Sequence, residues 1–329
     1  MKKVKYYILG LTTGLILFSS IGVFAINQIL SNEVLYDNTN SNLNSTNVKD
    51  AIDELYNVCN VRQSLSSKIV VGTTGTHNGY TYSIVNEGNG IRYEGKDPAN
   101  YVCFSSSCTA DTLYRIIGKF NVMVDTTGNG TADTSKSVIK LIKRKAFSES
   151  MYWASGASNT WSTASINTYI NSTWTKPTNN ILTARWYVGG YSTPDATAAT
   201  FLSAESNGTT WDGKVGLMYV SDYGYAVLST NCGRTTNMSS YNSSNCYSNN
   251  WIYYGSESIS VNTNYSMSIT PYSGGNYQDY YISGYSGGIA RSGDYNFGKM
   301  GVKPVFYLDA ETTKISGGTG TSSDPYIIN

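Results

Sequence analysis

Short apolar runs, separated by clusters of Gly, Asn, Ser and Thr, follow one another along most of the chain. The strongest are LYRIIGKFNVMV, SVIKLIKRKAF and the closing GVKPVFYLD, which are rich in β-branched and aromatic residues. Runs of this kind between turn residues predict strands. In STASINTYINSTW, Ile166 and Ile170 have helical spacing. The pattern predicts an α+β fold, with a mostly β C-terminal domain and a few short helices.

A further helix is predicted nearer the N-terminus, within NVKDAIDELYNVC. Ser45, Thr46 or Asn47 can cap it, and Asp50 and Asp53 favour its first turn. One narrow apolar stripe runs along this helix and consists of Val48, Ile52, Leu55 and Cys59. We expect such a stripe to dock on the main domain or to pair with copies of itself.

These elements divide the chain into four parts. Residues 1–25 are a signal peptide or N-terminal anchor, and residues 26–62 are a stalk-like strand–helix unit. Residues 63–100 are a β-rich linker of hairpins, and residues 101–329 are an α+β globular domain. The sequence KDPAN, at the end of the linker, is the predicted hinge into that domain.

Residues 1–25 have the pattern of a secretory signal. Three lysines lie at the start, an apolar run follows from Ile8, and Val23 and Ala25 occupy the positions that a signal peptidase reads. The run is near the minimum length of a membrane span, so an uncleaved anchor is the alternative to cleavage after Ala25. The protein is therefore expected outside the cell or at its surface. The membrane is a partner only if this segment stays uncleaved.

Export permits disulfides, and the chain contains five cysteines. Cys103 and Cys108 flank the sequence FSSS, and Cys232 and Cys246 flank an Asn/Ser-rich loop. The economical assignment is two local disulfides, with Cys59 left unpaired. Closing such small loops shapes them more than it stabilises the core.

The sequence offers little for metal or cofactor chemistry. The single histidine, His77, lies in the loop GTTGTHNGYT, and the cysteine spacings are not those of a zinc site. Asp125, Asn129 and Asp133 fall at ligand positions of a calcium loop, but Lys136 stands where the last acidic ligand belongs. A hairpin turn explains DTTGNGTADTS equally well. We expect no metal and no cofactor.

Charge excludes one class of partner. The chain has 23 basic and 22 acidic residues, and charged residues make up only 14% of it. No basic surface typical of nucleic-acid binding is expected. The one basic run, from Lys140 to Lys145, is interpreted as the solvent face of a strand or, alternatively, as a contact for a polyanion.

Recognisable sequence motifs occur over about two-thirds of the chain. They are LYRIIG, VIKLIK, WYVGG, KVGLMYVSDYGYA, NWIYY, SITPY and GVKPVFYLDAETTKISGGTGTSSDPYII. In these the chain resembles an uncharacterised family of secreted, Tyr/Trp-rich proteins of gut Gram-positive bacteria, a domain of unknown function. The resemblance implies secretion but no particular activity.

Two weaker resemblances concern the ends of the chain. Trp-rich loops before a terminal G-x-[RK]-P-x-x-x-L strand, here Gly301 to Leu308, are similar to the C-type-lectin-like fold of formylglycine-generating enzymes. The catalytic branch of that fold needs a copper-binding cysteine pair, and the pattern here shows none. The segments NTNSNLNSTNV and AIDEL resemble repeats of trimeric phage fibres, which implies a homotrimer through residues 26–62.

Tyrosine dominates the aromatic residues, with 29 in the chain against 6 Trp and 8 Phe. Rigid aromatic rings set among Gly, Ser and Asn are the composition of binding surfaces. A cluster of this kind spans residues 241–285, with Tyr265 among its members. The predicted ligand-binding residues are Trp251, Tyr253, Tyr254, Tyr272, Tyr277, Tyr280, Tyr281 and Tyr285. The expected ligand is an extracellular glycan or protein surface; the alternative is that the tyrosines only pack within a rigid shell.

An enzyme is the second hypothesis, either a formylglycine-type oxidase or a glycan hydrolase. A hydrolase needs paired carboxylates, and Asp212, Asp222, Asp279 and Asp294 are available. No nucleophile elbow or catalytic triad pattern is present, so no catalytic residue is predicted. A phage-fibre component is a third hypothesis, against which the export signal argues.

Overall fold

The computed structural model describes residues 44–61, 63–105, 107–156, 158–241, 244–253, 265–275, 278–291 and 299–328. The predicted signal and the first part of the stalk-like unit therefore lie outside the described residues. The chain divides between Gln63 and Ser64 into two compact units.

The described part of the first unit is helix α1, Val48–Val61, which confirms the helix that the sequence predicts. Of the three candidate caps, Asn47 is the one used, because its Oδ1 accepts the N–H of Asp50 at 2.8 Å. Ile52 is 59% exposed and Leu55 is 47% exposed. These two residues of the predicted apolar stripe are therefore exposed, and the homotrimer stays a prediction.

Strands dominate the rest of the chain. They are β1 (Gln63–Ser64), β2 (Thr74–His77), β3 (Tyr80–Glu87), β4 (Gly90–Gly95), β5 (Tyr101–Cys103), β6 (Tyr114–Val124), β7 (Thr134–Lys143), β8 (Ala184–Tyr187), β9 (Thr210–Gly213), β10 (Val215–Gly216), β11 (Tyr265–Pro271), β12 (Asp279–Ser283), β13 (Ile289–Arg291), β14 (Val305–Asp309), β15 (Lys314–Gly317) and β16 (Tyr326–Ile328).

The helices of the second unit are short. They are α2 (Ser165–Thr168), α3 (Ala198–Ser206) and α4 (Val220–Gly224), with a π-helical turn at Tyr169–Thr173 and 3₁₀ turns at Leu65–Lys68, Trp161–Thr163, Met238–Ser240 and Tyr247–Asn249. The protein is therefore a mixed α/β structure made mostly of sheet, as the sequence predicts at this level.

The main sheet is built on the long antiparallel hairpin of β6 and β7. Strands run in the order β15-β16-β5-β6-β4-β3-β2, while β7 pairs with β6 on one side and with β14 on the other. Strands β2, β3 and β4 belong to this same sheet. Residues 63–100, predicted to be a β-rich linker of hairpins, therefore share a sheet with strands of the predicted globular domain. A second, three-stranded antiparallel sheet has the order β11-β12-β13.

The middle of the core lies where β6, β7 and β14 meet, and this position corrects the interpretation of the basic run. Residues Val138 to Lys143 of β7 are all buried, and Lys140 is only 1% exposed. Because β7 has a strand on each side and apolar residues on both faces, it has no solvent face on which lysines could lie. The Lys140 ammonium must therefore find its partners inside the protein.

The predicted hinge KDPAN is also wrong, because these residues form a buried clamp. Arg115 on β6 donates from Nε to Asn100 Oδ1 at 2.7 Å and from Nη2 to Asp97 Oδ1 at 3.0 Å. The Tyr101 hydroxyl donates to the same Asp97 oxygen at 2.7 Å. The His77 ring is buried here, with Nδ1 3.0 Å from the Asp97 carbonyl oxygen. A charge fixed by this many contacts holds the segment rigid.

The pairing of β6 is irregular between Ile116 and Gly118, and the sheet is closely packed at Gly118. A Cβ at Gly118 would lie 2.1 Å from the carbonyl oxygen of Ile91 on β4. We expect Gly118→Ala to lower the free energy of unfolding by about 1–3 kcal/mol or more, since backbone cannot move aside as a side chain can. Chemical denaturation measures this. Gly156→Ala, where a Cβ would meet nothing within 4 Å, is the matched control. Equal stability of the two variants would contradict the packing.

Candidate functional site

The second sheet and the turn after β12 bring together a group of partly exposed tyrosines. In the β11–β12 pairing, Met267 lies opposite Tyr281, and Tyr265 lies opposite Ser283. This register places Tyr265 and Tyr281 diagonally on one face, with ring centroids 5.0 Å apart. Tyr285, in the turn after β12, lies 5.8 Å from the Tyr265 ring and is 71% exposed.

Two more tyrosines extend this group through the turn between β12 and β13. The rings of Tyr247 and Tyr253 are 4.6 Å apart, and the Tyr253 hydroxyl donates to the Gly284 carbonyl at 2.7 Å. Gly287 has a φ of +64°, and a Cβ there would lie 2.0 Å from Cγ of Tyr247. Only glycine suits that position, because both the backbone conformation and the close ring exclude a side chain.

We call these five residues the Tyr surface: Tyr247, Tyr253, Tyr265, Tyr281 and Tyr285. Its chemistry is neutral, with ring faces for stacking and phenol groups for hydrogen bonds. Burial raises the pKa of Tyr253 and of Tyr281, so both phenols keep their protons at neutral pH. Such a surface suits a ligand with C–H faces and polar edges, or a protein surface of mixed character.

The sequence missed Tyr247. The sequence does contain a local signal for it. Tyr247 directly follows Cys246, so a disulfide at Cys246 helps to fix the position of Tyr247. The Cys232–Cys246 disulfide, with 4.9 Å between its Cα atoms, closes the loop immediately before the 3₁₀ turn that begins at Tyr247. A second disulfide joins Cys103 to Cys108. Both predicted pairs are therefore present.

Trp251 was predicted to bind ligand but is buried in the core. Its Nε1 donates to the Tyr93 carbonyl at 2.9 Å, and the Arg115 guanidinium lies 4.8 Å from its ring centroid. The indole therefore serves the core beside the Arg115 clamp and contributes nothing to the Tyr surface.

Tyr280, which is also predicted to bind ligand, is buried for a different reason. Neighbouring residues of a strand point to opposite faces, so the exposure of Tyr281 requires Tyr280 to point inward. Tyr280 packs edge-to-face on Phe201 at 5.0 Å, and its hydroxyl donates to the Tyr191 carbonyl at 3.0 Å. Tyr272 contacts the Tyr280 ring at 5.8 Å and so lies away from the Tyr surface. Tyr254 and Tyr277 lie outside the described residues.

A buried ionic network lies beneath the second sheet. Asp222, on α4, accepts hydrogen bonds from Arg92 Nη1 at 2.8 Å, from Lys140 Nζ, and from the backbone N–H of Tyr219 at 3.0 Å. Desolvation opposes the charge of Asp222, but Lys140 and Arg92 outweigh it and lower the pKa of this carboxyl group. Burial lowers the pKa of Lys140 to about 8 despite the attraction of Asp222.

Glu205, on α3, links this network to the sheet that carries the Tyr surface. Its carboxyl group accepts from Ser221 Oγ at 2.5 Å and from Thr270 Oγ1 at 2.6 Å, and Thr270 lies on β11. The backbone N–H of Val220 donates to Thr270 Oγ1 at 3.2 Å. Burial raises the pKa of Glu205 to about 7, so this carboxyl group is partly protonated near neutral pH. Helices α3 and α4 thus hold β11 through buried polar contacts.

Two of the four carboxylates proposed for a glycan hydrolase, Asp212 and Asp222, form ion pairs within the fold. Asp212 forms a bidentate pair with Arg185, with Oδ1 at 3.0 Å from Nε and Oδ2 at 3.0 Å from Nη2. Asp222 belongs to the ionic network, and Asp279 is buried within β12. Asp294 lies outside the described residues. The hydrolase hypothesis therefore gains no support from these residues.

The calcium-like loop is a hairpin turn closed by its own backbone. Asp125 accepts the N–H groups of Thr127, Gly128 and Gly130, and Asn129 Oδ1 accepts the N–H of Thr131 at 2.8 Å. These hydrogen bonds are those of a turn built on Asp and Asn side chains. Within the described ranges no group of three or more His, Cys, Asp or Glu side chains could hold a metal ion.

Comparisons of the chain with protein-family models, with curated proteins and with solved structures found no match. Among the helices of the described ranges, none combines the length and the apolar character that crossing a membrane requires. The two disulfides agree with an oxidising, extracellular environment.

The ionic network makes an asymmetric prediction about stability. We expect Asp222→Asn to lower the free energy of unfolding by about 3–5 kcal/mol, because it leaves the charges of Lys140 and Arg92 buried without a counterion. Asp133→Asn, in the exposed hairpin turn, is the control and should change stability little. Urea denaturation at pH 7 measures both variants. A loss below about 1 kcal/mol for Asp222→Asn would contradict the network.

Glu205 makes a prediction about pH. Its pKa is about 7 in the folded protein against an ordinary value of 4.5, so the folded state binds its proton more tightly than the unfolded state. Ionisation of Glu205 therefore lowers stability as the pH rises from about 4.5 to about 7.

We expect the stability of Glu205→Gln, relative to the wild type, to increase over this pH window and to stay constant above it. Denaturation curves of the two proteins at pH 4.5, 6 and 7.5 provide the comparison. A difference that does not depend on pH would show that Glu205 ionises normally.

Proposed function

We propose that the chain is an exported bacterial binding or adhesion module that recognises an extracellular glycan or protein through the Tyr surface. The observation that carries the proposal is the group of five neutral tyrosines, in which Tyr265, Tyr281 and Tyr285 contact one another, Tyr247 contacts Tyr253, and Tyr285 is largely exposed. Large exposed apolar patches on soluble proteins often mark interaction sites.

Export supports the same proposal. Residues 1–25 have the pattern of a secretory signal, and the two disulfides suit an oxidising compartment. The resemblance to secreted proteins of gut Gram-positive bacteria agrees with this location. The proposal includes a C-type-lectin-like fold for this module. It also includes a homotrimer formed through residues 26–62, which would display three copies together.

A structural surface or fibre-like protein is the second candidate. The exposed apolar stripe of α1, with Ile52 and Leu55, favours it, because such a stripe can join copies of the chain. In that case the tyrosines would pack within a rigid shell. A formylglycine-type oxidase receives less support, since the late cysteines Cys232 and Cys246 are joined to each other in a disulfide.

The test is an array of glycans and host or bacterial surface proteins, probed with the secreted chain from residue 26. We expect Tyr285→Ser to weaken binding about tenfold or more, since exposed aromatic anchors carry much of the energy of such interfaces. Because the Tyr285 side chain is largely exposed, the melting temperature of the Tyr285→Ser variant should stay close to that of the wild type. Tyr152→Ser is the matched control, as Tyr152 is an exposed tyrosine outside the Tyr surface. An array that stays blank, or binding that Tyr285→Ser leaves intact, would favour the structural candidate.

A further inference from the structure

A cavity of about 440 Å³ lies beside the main sheet, at β14 and β16. It is bounded by the loop of residues 178–182, by the end of β14 and by β16, and none of its lining residues belongs to the Tyr surface. The volume falls within the range of about 300–1,000 Å³ that is usual for small-molecule sites. Asn179 and Asn180 line the cavity and are exposed.

Most of the polar lining is neutral, and among its neutral side chains Thr178 accepts the N–H of Asn180 on Oγ1 at 3.1 Å. The side chains of Asn179, Asn180, Thr312 and Thr313 make no hydrogen bond within the described part of the protein. Thr313 lines the cavity, and its hydroxyl is not among the fully enclosed unpaired polar atoms of the described residues. A molecule held in the cavity can therefore reach this hydroxyl, which can both donate and accept a hydrogen bond.

The one charged group of the lining is already satisfied. Asp309 accepts Lys136 Nζ at 3.0 Å on Oδ2, and it accepts the N–H groups of Glu311 at 2.8 Å and Thr312 at 3.0 Å on Oδ1. The carboxylate is thus paired with a cation and has backbone donors on its other oxygen. A charged ligand would find no counterion in the cavity, so the site favours a neutral molecule.

The remaining wall is apolar. Phe104 lines the cavity together with Ile181, Leu308 and Ile328. Phe104 is held at its place because it lies within the loop that the Cys103–Cys108 disulfide closes, and its ring packs on Tyr114 at 5.2 Å. The cavity therefore combines an aromatic and aliphatic wall with several neutral donors and acceptors.

We propose that this cavity is a binding site for a neutral sugar unit. A pyranose has C–H faces for the Phe104 wall and hydroxyl groups for the Asn179, Asn180 and Thr313 side chains, and it carries no charge. The inference does not depend on the proposed function, because a site for one sugar unit here would exist whatever the Tyr surface binds.

The experiment measures sugar binding to the disulfide-bonded chain by saturation-transfer NMR and calorimetry. The probes are glucose, galactose, mannose and N-acetylglucosamine, with anionic glucuronate and cationic glucosamine as charge controls. We expect at least one neutral sugar to bind with a Kd in the range of about 0.1–10 mM, and the two charged sugars to bind more weakly.

Two variants then locate the site. The double variant Asn179→Ala/Asn180→Ala and the isosteric Thr313→Val should each weaken binding about fivefold or more, since each leaves sugar hydroxyls without partners. Asn121→Ala, at an exposed position of β6, is the matched control. The exposed asparagines of the double variant keep the test valid if Thr313→Val should fail to fold.

Failure of this inference can be told apart from failure of the proposed function. Tyr285→Ser should leave binding of the single sugar unchanged even if it abolishes binding on the array. Absence of binding by every neutral sugar at about 10 mM would overturn the inference, as would binding that both cavity variants leave intact. Tighter binding of glucuronate or glucosamine would overturn the argument from charge.

Discussion

The central constraint on this fold is the burial of Lys140 in the middle strand of the main sheet. Burying an ammonium group without a counterion would destabilise the fold by more free energy than most single interactions contribute to its stability. Asp222 supplies that counterion, and the Tyr219 ring lies 4.0 Å from the ammonium nitrogen. Arg92, from β4, binds the other carboxylate oxygen of Asp222. The segment around α4 is thereby fixed against β4 and β7, two strands far apart in the sequence.

The position of the candidate site follows from this arrangement. Asp222 lies on α4, next to Ser221, whose hydroxyl and backbone N–H both reach Glu205 on α3. Glu205 in turn accepts from Thr270 on β11, and the same strand begins at Tyr265. A chain of buried polar contacts therefore connects the central strand with the exposed tyrosines. A displaced α4 would move β11 and separate the rings of Tyr265, Tyr281 and Tyr285.

Features set by neighbours in the sequence could be predicted, whereas those set by neighbours in space could not. The strands β6, β7 and β14, the helix α1 and both disulfides follow from local pattern and spacing. The burial of Lys140 depends on β14 pairing beside β7, a contact between residues more than 160 positions apart. The same limit explains the clamp of Asp97 and Arg115. It also explains why Trp251 was assigned to the surface, since nothing near it in the sequence reveals that Arg115 covers its ring.

The use of charge within the fold also bears on what the protein can recognise. Charged residues form only 14% of the chain, and many of them are committed to ion pairs: Arg92 and Lys140 with Asp222, Arg115 with Asp97, Arg185 with Asp212, and Arg234 with Glu87 and Glu94. Both candidate surfaces are accordingly neutral. The Tyr surface offers phenol groups and ring faces, and the cavity offers amides, hydroxyls and one carboxylate that is already paired. The recognition proposed for either place would rest on hydrogen bonds and stacking rather than on charge, and such contacts are insensitive to ionic strength.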